Sequence, residues 1–309
     1  MILNRVQTMK LKHHIDPTID CVFKAILGDP KHQNILTHFL NSILKPQSPL
    51  HSVEILNPYN DKEFVGDKQT IVDVKARDED GKTYQIEIQL TLSPALSARI
   101  LYNWSVLYKS LIHSGEDFPQ LKPVISIWLL TSSLLENSTE FHHHFELWDV
   151  KHQLRLIDHC SIHLIELSKW KNTITLPLDA EQAWLYFFDS AKNWDELPPE
   201  LQNIDALRSA MEVLQRFSEQ ERDYLLYEAR LDAIRDERAR NKLYETTAKQ
   251  LAEALQRETL AHEREALAQK REEEAQKREE EAQKREEEER KQKEHFLELL
   301  KKAGIDPTQ

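Results

Sequence analysis

Residues Ile71 to Leu90 read IVDVKARDEDGKTYQIEIQL. Two alternating runs flank Asp78-Glu79-Asp80-Gly81, the pattern of a β-hairpin. On the first run Ile71, Asp73, Lys75 and Arg77 share one face, and Val72, Val74 and Ala76 the other. On the second, Tyr84, Ile86, Ile88 and Leu90 oppose Gln85, Glu87 and Gln89. A turn over Glu79-Asp80-Gly81 with Gly81 left-handed pairs position 73 with position 87. Asp73 and Glu87 then become cross-strand neighbours on one face, with Gln89 one pleat further on. Two carboxylates placed opposite each other repel. A divalent cation removes the conflict, because carboxylate oxygens are the ligands that Mg²⁺ prefers. Such a cation activates water and stabilises charge on a phosphoryl group. The competing reading is an exposed polar face, with the acidic pair solvated or matched by Lys75 or Lys82. A one-residue register slip would separate the pair.

The rest of the chain bounds the answer. Its 309 residues allow about two domains. Cys21 and Cys160 are the only cysteines and have no metal-ligand spacing, which fits a reducing, cytoplasmic setting rather than a disulfide framework. The N-terminus lacks the apolar segment of a signal peptide. Apolar runs such as Val124 to Leu130 are too short to span a bilayer, so no membrane association is expected. A net charge of −12 argues against non-specific coating of nucleic acid, yet leaves room for a nuclease with acidic metal ligands.

In chain order, residues 1–14 form a lead-in. Asp16-Pro17 reads as an N-cap and first helical position, and Gly28 as the stop. Asp20 and Lys24 lie four apart on this helix, the spacing of a surface ion pair. A second helix is expected from Pro30 to Leu44, a strand at Val53 to Leu56, and an amphipathic helix from Pro94 to His113. Arg99, near the start of that last helix, reads as a surface or ion-paired arginine within reach of a phosphate. VISIWLL at Val124 to Leu130 suits a central strand. Further strands are expected at Phe141 to Leu147 and Ser161 to Leu167. This order predicts an α/β fold with one mixed sheet. His142, His143 and His144 are consecutive on a strand and point to alternate faces, which disfavours a shared metal. The six tryptophans read as core.

From Ala180 a helical region follows, with a break at Pro198-Pro199. Three near-copies of one heptad, QKREEEA, QKREEEA and QKREEEE, occupy residues 269–289. A coiled coil needs apolar residues at both a and d, and each repeat supplies at most one alanine. Glu273–Lys277, Glu274–Arg278, Glu280–Lys284 and Glu281–Arg285 are favourable i,i+4 pairs. The tract therefore reads as a solvated, self-supporting helix. A weak homo-oligomer contact upstream would use Leu251 and Leu255. The domain reading is a core at 15–178, a helical linker region at 179–220 and a charged helix with a short cap at 221–309.

An ordered set of motifs resembles the Rpn family of recombination-promoting nucleases and transposases, within the PD-(D/E)XK superfamily. It runs from Asp16-Pro17-Thr18 and Asp20-x-x-Phe23-Lys24 through Val72-Asp73-Val74-Lys75-Ala76-Arg77 with Asp80-Gly81 to Ile86-Glu87-Ile88-Gln89. Arg99, Tyr102, Tyr108 and Gly115 follow, then Lys122-Pro123-Val124-Ile125-Ser126-Ile127, and His163 with Ile165-Glu166-Leu167-Ser168-Lys169. The resemblance covers residues 13 to 175 and implies a restriction-endonuclease-like mixed sheet flanked by helices. It implies Asp73 and Glu87 as ligands of Mg²⁺, or of Mn²⁺ in its place, with the Ile88 carbonyl as a third protein ligand. Gln89 stands where the superfamily usually has lysine, and would orient water or bond a phosphate oxygen. Asp20 would orient or complete the site, and Lys24 would contact phosphate. The implied activity is DNA endonuclease action linked to recombination, mobile elements or defence. The alternatives are a catalytically silent scaffold acting through its helical tail, and RNA cleavage by the same site.

Overall fold

The computed structural model describes residues 12–56, 73–113, 115–170 and 177–302. Ile71 and Val72 of the expected hairpin, most of the lead-in, and residues 303–309 of the expected cap lie outside them. The described chain divides into two compact units, one up to Asp236 and one from Glu237.

The first unit is built on a six-stranded mixed sheet. Strands β1 (Val53–Leu56), β2 (Val74–Asp78) and β3 (Thr83–Gln89) form an antiparallel meander. β3 then pairs in parallel with β4 (Val124–Leu130), and β4 with β8 (Cys160–Glu166). β5 (His142–Glu146) closes the far edge antiparallel to β8. A separate two-stranded ribbon, β6 (Trp148–Asp149) and β7 (Leu154–Arg155), follows β5 and carries exposed Trp148 and Leu154.

The hairpin register is the expected one. Val74 pairs with Ile86, Lys75 with Gln85 and Ala76 with Tyr84. Gly81 has φ +84°, and its N–H donates to the Asp78 carbonyl. The left-handed glycine closes a three-residue turn that fixes every cross-strand neighbour behind it.

Both sheet faces are covered. On one, Val74, Ile86, Ile127 and Ile165 pack with α1 (Asp20–Leu27), α2 (Gln33–Leu44), α5 (Ala180–Ser190) and α6 (Asp205–Glu219). On the other, Leu96 and Ile100 of α3 (Leu96–Lys109) cover Trp128, Leu130, Ile162 and Leu164. This second cover differs from a half-solvated hairpin: Thr83 to Ile88 are all buried, polar positions included. A strand flanked on both sides and covered on both faces has nowhere to expose alternate residues.

Residues 179–220, read from sequence as a linker region, feed the main core through Trp184, Phe187, Phe188, Leu207 and Leu214. Asp179 and Gln182 form the capping box that starts α5. The first helix starts one turn later than expected. Asp16 Oδ1 accepts from Thr18 N and Thr18 Oγ1, so Asp16 caps a tight turn and α1 begins at Asp20. The short α4 (Leu167–Trp170) follows β8, and its Lys169 Nζ lies 2.6 Å from buried Glu166. His142 and His144 face one way, toward His163 and Ser161, while His143 bonds Ser138 on the other side. Trp128, Trp170 and Trp184 are core residues, whereas Trp148 is exposed.

The long helical region breaks at Gln220, whose extended backbone separates α6 from α7 (Glu221–Lys302). In the second unit every side chain from Lys242 to His295 is exposed. Its closed ion pairs include Glu253–Arg257 at 3.7 Å and Glu287–Lys291 at 2.7 Å. The four heptad pairs expected within 269–289 are not among them; those side chains stand in solvent, where closing a pair is worth little.

Candidate active site

The site lies where β2 begins and β3 ends. Asp73 directly precedes β2, and continuing the hairpin register from Val74–Ile86 sets it against Glu87. Asp73 Oδ2 accepts from the Ile88 N–H at 2.9 Å. Its Oδ1 lies 3.2 Å from Lys24 Nζ. Lys24 therefore reaches from α1 to the hairpin and does not pair with Asp20. Lys82 is not the counter-charge; it pairs with Asp80.

Glu87 is 7% exposed. Its Oε1 accepts from Gln85 Nε2 at 3.1 Å, two residues back on the same face. Burial pushes the Glu87 carboxyl up to about 8, and the charge of Asp73 adds to that rise. Gln85, Arg99 and Lys24 pull the other way without cancelling it. Burial also raises Asp73, against the Ile88 N–H and the Lys24 ammonium, and the charge of Asp20 raises it further. Two desolvated carboxylates thus hold each other in check, a state that costs stability unless positive charge arrives.

Gln89 continues the same face. Its Nε2 donates to the Thr91 carbonyl at 2.6 Å, and its Oε1 accepts from Arg99 Nη2. Arg99 lies over the ring of Trp128, 5.6 Å from the centroid. This combination orients the Gln89 amide with its oxygen toward the cation of α3. Asp20, at the start of α1, is near enough to influence Asp73, and its Oδ1 accepts from Cys21 N at 2.9 Å and Arg230 Nε at 2.7 Å.

The structure therefore gathers Asp20, Lys24, Asp73, Glu87 and Gln89 from two regions of sequence. It adds Gln85, Arg99 and Arg230. Gln85 was legible as a residue on the acidic face, but not as a donor to Glu87. Arg99 was legible as an arginine within reach of a phosphate, but not as the partner of Gln89. Nothing local marks Arg230, which is 210 residues from its partner Asp20.

A family model described as PD-(D/E)XK nuclease family transposase matches residues 17–245. The chain belongs to this family. No curated protein and no solved structure matches it. Membership in the PD-(D/E)XK nuclease family gives the chain a nuclease- or transposase-related role and agrees with the mixed sheet. The match runs past the sheet, through α5 and α6 and into α7, so it includes Arg230.

PD-(D/E)XK nucleases typically use divalent metals. Among the described residues no group of three or more His, Cys, Asp or Glu side chains is arranged to hold a metal ion. The donors at the hairpin are fewer: two carboxyl groups, Glu87 buried and Asp73 partly so, both raised in pKa. That set suits a small, hard cation that keeps much of its water. The Lys24 ammonium already supplies one positive charge at Asp73. In an extended strand, a residue's N–H and C=O point to the same side. The Ile88 carbonyl is thus directed to the side on which its N–H meets Asp73.

Proposed function

We propose that this protein is a divalent-metal-dependent DNA endonuclease whose centre is the Asp73–Glu87 pair. The observation that carries the reading is two carboxyl groups side by side and largely withdrawn from water, Asp73 with its side chain 11% exposed and Glu87 buried and raised to about 8. A scaffold has no use for that arrangement, whereas a cation site needs it. Asp73, Glu87 and the Ile88 carbonyl would hold Mg²⁺, or Mn²⁺ in its place. The bound cation would supply water activation and charge stabilisation at the phosphoryl group.

The chain's own groups do the rest. Lys24 and Arg99 neutralise the phosphate that approaches the acidic pair. The Gln89 side-chain oxygen accepts from Arg99 and retains a lone pair to orient the attacking water. Asp20 supports this edge of the site through α1. The water oxygen bonds to phosphorus as one P–O ester bond breaks in line. The reading places the enzyme in the cytoplasm, and among the described residues no helix is long and apolar enough to cross a membrane. It links the cleavage to recombination, mobile elements or defence, as the transposase description of the family suggests.

The test is nicking of supercoiled plasmid by purified protein with Mg²⁺ or Mn²⁺, beside Asp73→Ala. Cleavage by the native chain alone supports the reading. Equal cleavage by both removes Asp73 from the centre, and cleavage by neither returns the fold to a scaffold role. Matched DNA and RNA substrates in the same assay decide the polymer.

A homo-oligomer through α7 is part of the same proposal. Its support is the row of exposed apolar residues Leu243, Tyr244, Leu251 and Leu255 on an otherwise charged helix. Light scattering on Leu251→Glu with Leu255→Glu tests it; an unchanged mass would remove that contact.

A further inference from the structure

The first turns of α7 belong to the same compact unit as the sheet. Tyr227 and Ile234 are each 5% exposed. The Tyr227 hydroxyl accepts from the Asp16 N–H at 3.1 Å, tying α7 to the turn that precedes α1. Tyr224 stacks on His13, with ring centroids 3.9 Å apart. Arg230 lies three residues after Tyr227 and four before Ile234, so it shares their inward helix face.

Arg230 uses only part of its guanidinium there. Nε donates to Asp20 Oδ1 at 2.7 Å, and among the described residues Nη1 and Nη2 have no partner. The side chain is 43% exposed. An arginine anchored through Nε has its planar fork aimed before any ligand arrives. Free Nη groups in a fixed plane match the two oxygens of a phosphodiester. A guanidinium needed only to neutralise Asp20 would present that fork to the carboxylate. One turn along α1, Lys24 contacts Asp73, and the charge of Asp20 itself reaches Asp73, so Arg230 is linked to the acidic pair through its partner on α1. Arg99 reaches the same pair from α3 through Gln89.

We propose that Arg230 is a phosphate-binding residue, gripping a backbone phosphate next to the one that Asp73 and Glu87 address. The site would thereby select a polymeric nucleic acid over an isolated phosphodiester. This rests on the nuclease reading above for the identity of the neighbouring centre. The role is binding, and Asp20 is the residue that positions it.

The experiment uses the full chain as wild type, Arg230→Ala, Arg230→Lys and Arg155→Ala. Arg155 is a control cation on the β6–β7 ribbon. Binding of a labelled DNA duplex is measured in EDTA by fluorescence anisotropy over a range of salt. Steady-state cleavage of the duplex is measured beside hydrolysis of bis(p-nitrophenyl) phosphate, which has no flanking phosphate. Arg230→Ala is expected to lower the salt slope by about one and to raise KM for the duplex ~10-fold, with kcat within about twofold. Hydrolysis of the small diester should be unchanged. Arg230→Lys should restore the slope but only part of KM, because the charge returns without the fork. Arg155→Ala should behave as wild type.

Unchanged slope and KM in Arg230→Ala would overturn the proposal. Loss of kcat on both substrates alike would also overturn it, by showing that Arg230 only holds Asp20 or the fold. If the native chain binds duplex without cleaving it, the slope still decides the role of Arg230 while the nuclease reading fails. If it binds no duplex, both fail. Thermal melting of each variant guards against unfolding as the cause.

Discussion

The Asp73–Glu87 edge and the heptad tract of α7 are both dense in acidic residues, and they could hardly be treated more differently. From Lys242 to His295 every side chain is exposed, including all the acids of the heptads. At the hairpin, Glu87 is 7% exposed and faces a second, largely covered carboxylate, Asp73. Charge in water is cheap and pairwise contacts change little. Charge removed from water costs several kcal/mol unless something compensates it. Acidic composition alone therefore says little about function; burial of acids beside each other says much.

The largest contrast is expected in activity. Glu87→Ala should reduce plasmid nicking by more than ~100-fold, measured at saturating Mg²⁺. Replacing Glu273, Glu274, Glu280 and Glu281 together by glutamine should change the rate less than about twofold. If the heptad variant lost activity comparably, the division between the two acidic regions would be broken. A smaller loss, on the order of 10- to 100-fold, is expected for Gln89→Ala, which frees Arg99 and removes the oriented amide.

Stability sharpens the comparison next. Glu87 has its folded-state pKa raised from the ordinary 4.5 to about 8. Between these values the unfolded chain has released this proton and the folded one retains it. Stability without metal should therefore fall as pH rises from about 4.5 to 8, and level off above. Glu87→Gln should flatten that dependence and raise stability at pH 8 by on the order of a few kcal/mol, read by denaturant melts in EDTA. The same glutamine change at Glu273 should move it by less than about 0.5 kcal/mol.

Much of this was legible before the fold. Gly81 demanded a left-handed turn, the turn dictated the register, and the register set Asp73 against Glu87. The apolar run at Val124 to Leu130 announced a central strand. What stayed hidden depended on distant chain. The α3 cover that buries Gln85 and Glu87 cannot be inferred from alternation within β3, because an alternating strand reads the same with either cover. Lys24 had an acceptable local partner in Asp20, and only tertiary packing turned it to Asp73. Arg230 meets Asp20 across 210 residues, through a helix whose sequence looks uniformly charged. A helical region was legible from Ala180 onward, but not that α5 and α6 would complete the core of the sheet.

The most direct test of the Asp73–Glu87 centre is calorimetric titration of Mn²⁺ into native protein and Glu87→Ala at pH 7, in two buffers of different ionisation enthalpy. The expected result is one site, absent from the variant, with release of up to about one proton as Glu87 ionises on binding. A site undiminished in Glu87→Ala, or no site in the native chain, would contradict it.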